Sequence, residues 1–367
     1  METSSLHSLR RDARKCRSLL LIKMRYIGDT VLVTPLLGTL RQALPHTRLL
    51  LLVNRQSADI VRNHPHIDRL IAFDYDRGKT DWPYFLRFLL GIRRLGCDLV
   101  MDLTGNDRSA LFSAMSGAGI RLGYEGGSPL RRLAYTHRLP NRLGRIHTVD
   151  HHLAMAAALG LPLGSPHPYL AVPHEDIRWI HRLLADHGIR RDMPIVVIHP
   201  GARRWYKSWL PERFAHTADR LMRRYAVQVV LSGGPGDEEA CRRITSLAAR
   251  PVVDLCGKVP LRRLPALMRC SALLIGNDSA PIHVATAVDT PVVALFGPTR
   301  WEDWQPRRPH DKTLGIAFPC RPCGHARPDC PLGEGYCMSQ ITEDMVWEAI
   351  EGRLRGVGIE KRSEPEK

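Results

Sequence analysis

Short apolar runs alternate with longer stretches whose apolar positions recur every three or four residues. Residues 18–24 (Ser-Leu-Leu-Leu-Ile-Lys-Met) are almost unbroken in their apolar character, which is the signature of a strand covered on both faces. Residues 30–43 carry Val31, Leu36 and Leu40 at helical spacing and stop near Pro45. The same pattern predicts strands over 49–53 and 98–103, and helices over 82–95, 107–117 and 146–159, the last stopped by Gly160 and Pro162. Four prolines fall within 161–173, which reads as a linker. Beyond it the alternation resumes, with helices over 175–187, 212–225, 237–249, 261–269 and 281–288 and strands over 195–199, 227–232, 252–255, 272–275 and 291–296. Repeated strand–helix–strand units predict an α/β fold with parallel sheets covered on both faces. The proline-rich join predicts two doubly wound, Rossmann-like domains, 1–165 and 166–345. Ligands of such sheets bind beyond the carboxyl ends of the strands, so functional residues belong in the loops that follow strands.

Length and composition fit this picture. The 367 residues suit two domains of moderate size, and 44% hydrophobic with 25% charged residues is the profile of a soluble globular protein. Lys and Arg number 53 against 37 acidic residues, a formal charge of +16, so anionic partners are favoured. The arginines are spread along the chain, with no basic tail and no aromatics interleaved in a basic stripe. This argues against a nucleic-acid binder. Apolar runs such as 49–53 fall far below the ~20 residues of a membrane-crossing helix. Residues 18–24 are too short for a signal peptide and are interrupted by Lys23. The chain is therefore expected in the cytoplasm, with its nine cysteines reduced.

Four stretches carry candidate chemistry. In Lys23-Met-Arg-Tyr-Ile-Gly28-Asp29-Thr30, Gly28 permits a tight turn and Asp29 opens a helix, where it fits either a cap or a general base. No Gly-x-Gly-x-x-Gly follows this strand, which argues against a nicotinamide dehydrogenase. In His199-Pro-Gly201-Ala202-Arg203-Arg204-Trp205-Tyr206-Lys207-Ser-Trp209, a glycine admits a ligand close to the backbone. The cations beside it suit a diphosphate or make a solvated basic loop. In Ser232-Gly-Gly-Pro-Gly236-Asp237-Glu238-Glu239, Glu238 fits a ribose contact or ordinary helix capping. In Gly276-Asn-Asp278-Ser279-Ala280-Pro281-Ile-His283, a helix opens where the Ser279 and Ala280 amides can meet phosphate. His283 shares their helical face; a capped helix and a buried histidine are the plainer alternatives.

These stretches, in this order and spacing, resemble glycosyltransferase family 9, the ADP-heptose:lipopolysaccharide heptosyltransferases. Ala287-Val-Asp-Thr-Pro-Val-Val-Ala-Leu-Phe-Gly-Pro-Thr is a further match, and the likeness runs from about residue 18 to 350. The Lys-Met-Arg-x-x-Gly-Asp opening is most similar to the heptosyltransferase III branch. The resemblance implies the GT-B architecture, two Rossmann-like domains facing across a cleft, with the acceptor on the first and the nucleotide sugar on the second. It implies a last helix, 343–356, packing back on the first domain, ahead of a disordered tail, 357–367. It implies inverting, metal-independent transfer of heptose from ADP-L-glycero-D-manno-heptose to the inner core of Gram-negative lipopolysaccharide. Asp29 would be the base, with Arg25 and Gly28 on the acceptor side. Gly201, Ala202, Lys207, Asp278, Ser279, Ala280 and His283 would hold the donor. Asp278 would orient its loop or sugar hydroxyls, because its charge is unfavourable beside a diphosphate.

An anionic glycolipid acceptor would also account for the basic charge, by drawing a monomeric enzyme to the cytoplasmic face of the inner membrane through residues such as Arg93, Arg94, Arg131 and Arg132. Another nucleotide-sugar transferase of the same fold shares these residues. A catalytically silent nucleotide-binding protein has no need of Asp29 and Lys207. Cys320, Cys323, Cys330 and Cys337, with His325 among them, read as reduced thiols in a proline-rich loop or as ligands of a structural zinc ion; no other cofactor is called for.

Overall fold

The structure, a computed structural model, describes residues 3–323, 330, 332, 333 and 335–361, with side chains from Leu9 onward. The chain divides into two compact units, Met1–Leu170 and Ala171–Lys367. The division falls inside the proline-rich 161–173 stretch, which holds neither helix nor strand.

The first unit is built on six parallel strands: β1 (Ser18–Lys23), β2 (Arg48–Asn54), β3 (Arg69–Phe73), β4 (Leu99–Asp102), β5 (Ile120–Tyr124) and β6 (His137–Leu139). Their order is β3-β2-β1-β4-β5-β6. β1 is central and wholly buried, with Leu20 between Leu50 and Val100, which is why its sequence is apolar without alternation. The second unit repeats the plan with β7 (Ile195–His199), β8 (Gln228–Leu231), β9 (Val253–Asp254), β10 (Leu273–Asn277), β11 (Val292–Phe296) and β12 (Lys312–Gly315), ordered β12-β11-β10-β7-β8-β9. Counted from each unit's first strand, the two orders are the same. In each, the strand order reverses between the first and fourth strands, and the crevice beyond that point is where doubly wound sheets bind ligands.

The expected helix over 30–43 is two helices, Ile27–Val31 and Thr34–Ala43. Pro35 has no N–H to give the Val31 carbonyl, and the Thr34 hydroxyl takes that carbonyl instead at 2.8 Å. The helix Glu343–Gly356, directed by the resemblance to the first unit, places Val346, Trp347, Ile350 and Leu354 in the core of the second, alongside β11 and β12. Of the tail, residues 362–367 lie outside the described residues.

Candidate active site

In the first unit the reversal of strand order lies between Lys23, the last residue of β1, and Asp102, the last of β4. Lys23 is buried, and its ammonium reaches Asp29 Oδ1 at 3.1 Å, His152 Nε2 at 3.3 Å and the Leu103 carbonyl at 3.4 Å. His152 Nδ1 lies 3.1 Å from the Leu32 carbonyl. A carbonyl only accepts, so Nδ1 carries the proton and the Nε2 lone pair faces Lys23. All three ammonium donors are then matched. Burial, reinforced by Lys23, pushes His152 well below the ordinary histidine range and His151 down to about 4, so both rings are neutral beside the ammonium. Behind them, buried Asp102 accepts from the Tyr135 hydroxyl at 2.6 Å and from the Thr104 and Gly105 amides, and burial pushes its carboxyl up. That turn carries the Leu103 carbonyl which receives Lys23. Asp29 lies in the first turn of Ile27–Val31 with its carboxylate on Lys23; the N-cap position is Tyr26. Gly28 is buried and Arg25 exposed.

In the second unit the equivalent point lies between His199, ending β7, and Asn277, ending β10. Asn277 is fully buried; its Nδ2 donates to the Pro200 carbonyl at 2.7 Å, and its Oδ1 accepts from the Trp209 amide at 3.0 Å. This side chain ties both ends of the 200–209 loop to β10. Trp209 is pinned further by its indole N–H to the Ile341 carbonyl at 2.9 Å. The loop so held brings Lys207 Nζ to 2.6 Å from Asp278 Oδ2, just ahead of the helix Ala280–Ala287. Ser279 takes the N-cap position without capping: its hydroxyl turns to the Asn277 carbonyl at 3.3 Å. The first-turn amides of such a helix have no partners within the helix, and with Lys207 beside them they make a cradle for an anion. His283 is buried in the first turns of that helix.

Gly201 and Ala202 open the same loop, and a Cβ at Gly201 would strike the Asp237 side chain. Asp237 accepts from the Gly234 amide at 2.8 Å and lies 3.8 Å from His199 Nε2. His199 is joined to the Ser232 hydroxyl at 3.0 Å, and burial pushes its imidazole down against the pull of Asp237. Glu238, the expected ribose contact, is exposed and accepts from the Gly236 amide of its own turn at 2.7 Å; its own backbone amide and that of Gly236 lower its carboxyl. It acts within the turn, and Asp237 is the acid that faces the loop.

Lys207, Asp278, Ser279 and Ala280 are thus brought together, with Gly201 and Ala202 in the adjoining loop. Asp29 sits in the other unit with Lys23, which opens its motif but was given no role there, and with His152, which lies outside the motifs. The first unit also holds a pocket of about 470 Å³ beyond β2 and β3, lined by Arg55, Arg62, Arg77, Asp59, Asp74 and Tyr84 among others. Its arginines are held by Asp74, Asp59 and Asp81 at 3.1, 2.6 and 2.8 Å. Of the late cysteines, Cys320 is exposed and the others half-buried; burial and the sulfurs of Cys320, Cys330 and Cys323 push the Cys337 thiol up, which places the four in one neighbourhood. Among the described residues, the group of metal-competent atoms within 4.8 Å of one another is a different one, Cys241, Asp254 and Cys256. His325 lies outside the described residues.

Known proteins share this plan. The sequence pattern of glycosyltransferase family 9 (heptosyltransferase) matches residues 85–331. Lipopolysaccharide heptosyltransferase 3 of Escherichia coli K12 is 30% identical over 297 residues, 77% of this chain and 83% of the relative. Lipopolysaccharide heptosyltransferase 1 of Pseudomonas aeruginosa is 26% identical over 326 residues, 83% and 85% of the two chains. Among solved structures, a family 9 glycosyl transferase from Veillonella parvula matches with a TM-score of 0.81 at 24% identity, over 93% of this chain and 97% of that one. ADP-heptose lps heptosyltransferase II of E. coli matches at 0.76 and 21%, over 93% and 99%. At these identities the structural likeness establishes a common fold.

Proposed function

The chain belongs to glycosyltransferase family 9, the heptosyltransferases, and from that premise we propose that it transfers heptose from ADP-L-glycero-D-manno-heptose to the inner core of lipopolysaccharide, with inversion and without a divalent cation. The observation that carries the reading is the Lys207 ammonium held by Asp278 at the mouth of the Ala280–Ala287 helix. The ammonium and the free first-turn amides of that helix would together meet the charge of a departing diphosphate, the task a cation performs elsewhere, as Lys207 exchanges Asp278 for the phosphate.

Chemically the step is a single displacement. The acceptor hydroxyl gives its proton to the Asp29 carboxylate as its oxygen bonds to the anomeric carbon. The bond from that carbon to the diphosphate oxygen breaks, and its electron pair leaves with ADP. One carboxylate suffices for inversion, with the acceptor in the position of the water in inverting hydrolysis. Lys207 and the Ser279 and Ala280 amides meet the charge that grows on the leaving group. Asp278 fixes Lys207, and His283 and the Gly201–Ala202 backbone shape the cradle. Asp237, whose carboxylate lies beside Gly201 at the start of the 200–209 loop, would join Glu238 as an acid available to the nucleotide. The arginine-lined pocket beyond β2 and β3 suits the phosphates of an anionic acceptor. The late cysteines remain reduced thiols in this reading, and metal analysis of the purified chain tests that.

Incubation with ADP-heptose and truncated core glycolipids, read by mass spectrometry, tests the reaction. One added heptose, undiminished by EDTA and with inverted anomeric configuration by NMR, is expected. A product formed only with a different nucleotide sugar would overturn the donor assignment.

A further inference from the structure

The helix Glu238–Leu247 and the strand β9 bring together two of the nine cysteines, neither of them in the late cluster. Asp254 ends β9 and Cys256 follows two positions on; the Cys256 amide donates to Asp254 Oδ1 at 2.8 Å, which bends this Asp-x-Cys segment into a turn. Cys241 lies one turn into the helix, which packs on β9. Its Sγ, the Cys256 Sγ and a carboxylate oxygen of Asp254 lie within 4.8 Å of one another. Cys241 is fully buried in the core of the second unit, whereas Cys256 and Asp254 are half-buried, so the group has a closed inner side and an approach from solvent. Apolar packing accounts for Cys241 alone. It does not account for a second thiol and a carboxylate gathered on it.

The surrounding charge favours a cation. Asp237 and Glu238, at the start of the same helix, act on the thiols together with Asp254. The cations beside them are engaged: Arg242 with Glu239 at 2.7 Å, and Lys258 with the Asp254 carbonyl at 2.8 Å and His187 Nε2 at 3.2 Å. Burial first, and then the acids, push both thiols up, so without a metal they stay protonated. We propose that Cys241, Cys256 and Asp254 bind one zinc ion, with water completing the tetrahedron. Two sulfurs and a carboxylate suit zinc, whereas magnesium and calcium take oxygen ligands. Zinc–sulfur bonds of about 2.3 Å set tetrahedral ligands roughly 3.5–4 Å apart, inside the observed limit. Binding forms two Zn–S bonds and one Zn–O bond and expels both thiol protons to water, so affinity tightens as pH rises. The ion is structural. β9 is two residues long at the edge of its sheet, and the ion fastens it to the helix. The clip also backs the glycine turn that carries Asp237: Cys256 Sγ reaches the Gly234 carbonyl at 3.7 Å, and a Cβ at Gly233 would strike both Cys256 Sγ and Asp237 Cβ. Nothing in this rests on the transferase reading, and the proposed transfer still needs no cation at the diphosphate.

The test is titration of the full chain, reduced and stripped of metal, with Zn2+ against a chromophoric zinc indicator. Because the late cysteines offer ligands of their own, C256S, D254N and C320S/C323S/C330S/C337S are titrated beside the parent. C256S is expected to bind one zinc fewer than the parent, D254N to hold that ion about tenfold or more weakly, and the late-cysteine variant to keep it. With Co2+ in place of zinc, the late-cysteine variant should show sulfur-to-cobalt charge-transfer absorption that vanishes when C256S is added. Zinc should raise the Tm of the late-cysteine variant and leave that of its C256S derivative unchanged. Equal Tm values for the two without metal show that the serine is tolerated; D254N carries the test if it is not. Equal zinc in C256S and the parent overturns the proposal, as does a reduced parent chain that binds none. So does loss of all zinc in the late-cysteine variant at an unchanged metal-free Tm. So does a Cys241–Cys256 disulfide found by peptide mass spectrometry in freshly purified protein, which would assign the pair to redox chemistry.

Discussion

Replacing Lys23 by Met takes the ammonium from between Asp29 and His152 and frees the Asp29 carboxylate to turn away from the acceptor. A base displaced by about 1 Å costs on the order of 10²-fold in rate, so K23M should lower kcat by about that much and leave ADP affinity unchanged. The H152L variant removes only one of the three acceptors and should cost less. H152Q, whose side-chain oxygen can still accept from Lys23, should recover part of that loss. A K23M enzyme with wild-type kcat would show that Asp29 needs no such support. In the second unit, K207A should cost about 10²-fold or more in kcat, measured at saturating donor. The sequence displays Asp29, Lys207 and Asp278 because each follows a strand in a legible turn. It hides Lys23, which reads as a flaw in an apolar run. The partners that give Lys23 meaning, Leu103 and His152, lie 80 and 129 positions away. Glu238 and Asp237 were likewise indistinguishable in one acidic turn until hydrogen bonds sent one to its own backbone and the other toward the 200–209 loop.

Among elements, the central strands and the edge strand β9 were readable, and β3, β5, β6 and β12 were not. β1, β7, β10 and β11 are buried along their whole length and announce themselves as apolar runs. β3, β5 and β12 are partly exposed, β6 spans three residues, and none has a pattern that stands out from a loop. The 200–209 loop of the second unit is tied to β10 at both ends by one side chain, Asn277. The N277A variant leaves the Trp209 amide and the Pro200 carbonyl unpaired in a buried place, at a cost of about 1–3 kcal/mol for each group stranded. Calorimetry should show a lowered Tm, and the freed loop should raise KM for the donor more than it lowers kcat. If N277A binds donor as tightly as the parent, Lys207 is placed by something other than this tie.

At the scale of the whole molecule, buried titratable groups set opposed responses to pH. Burial holds His64 at about 3 and His151 at about 4, and lowers His152 and His199, against an ordinary 6.5 in the unfolded chain. The folded state therefore binds fewer protons through these groups. Their contribution to stability is complete above pH 6.5 and is lost as pH falls from there toward 4. Asp311 runs the other way: burial raises it from 3.8 to about 7, so its charging weakens the fold as pH climbs through that window. Thermal unfolding should show Tm dropping below pH 6.5. D311N should raise Tm at about pH 8, with the gain shrinking at about pH 5. A gain of equal size at both would mean that Asp311 does not titrate in this window.

Each half of the chain encloses its own apolar interior around its own sheet. A cavity opened at Phe112 should loosen the half that bears the proposed base and leave the proposed ADP cradle standing; one opened at Ile275 should do the reverse. On the proposed reaction, what the enzyme gives and what receives it are written on separate stretches of polypeptide, so each could drift, fail or be rebuilt while the other keeps working.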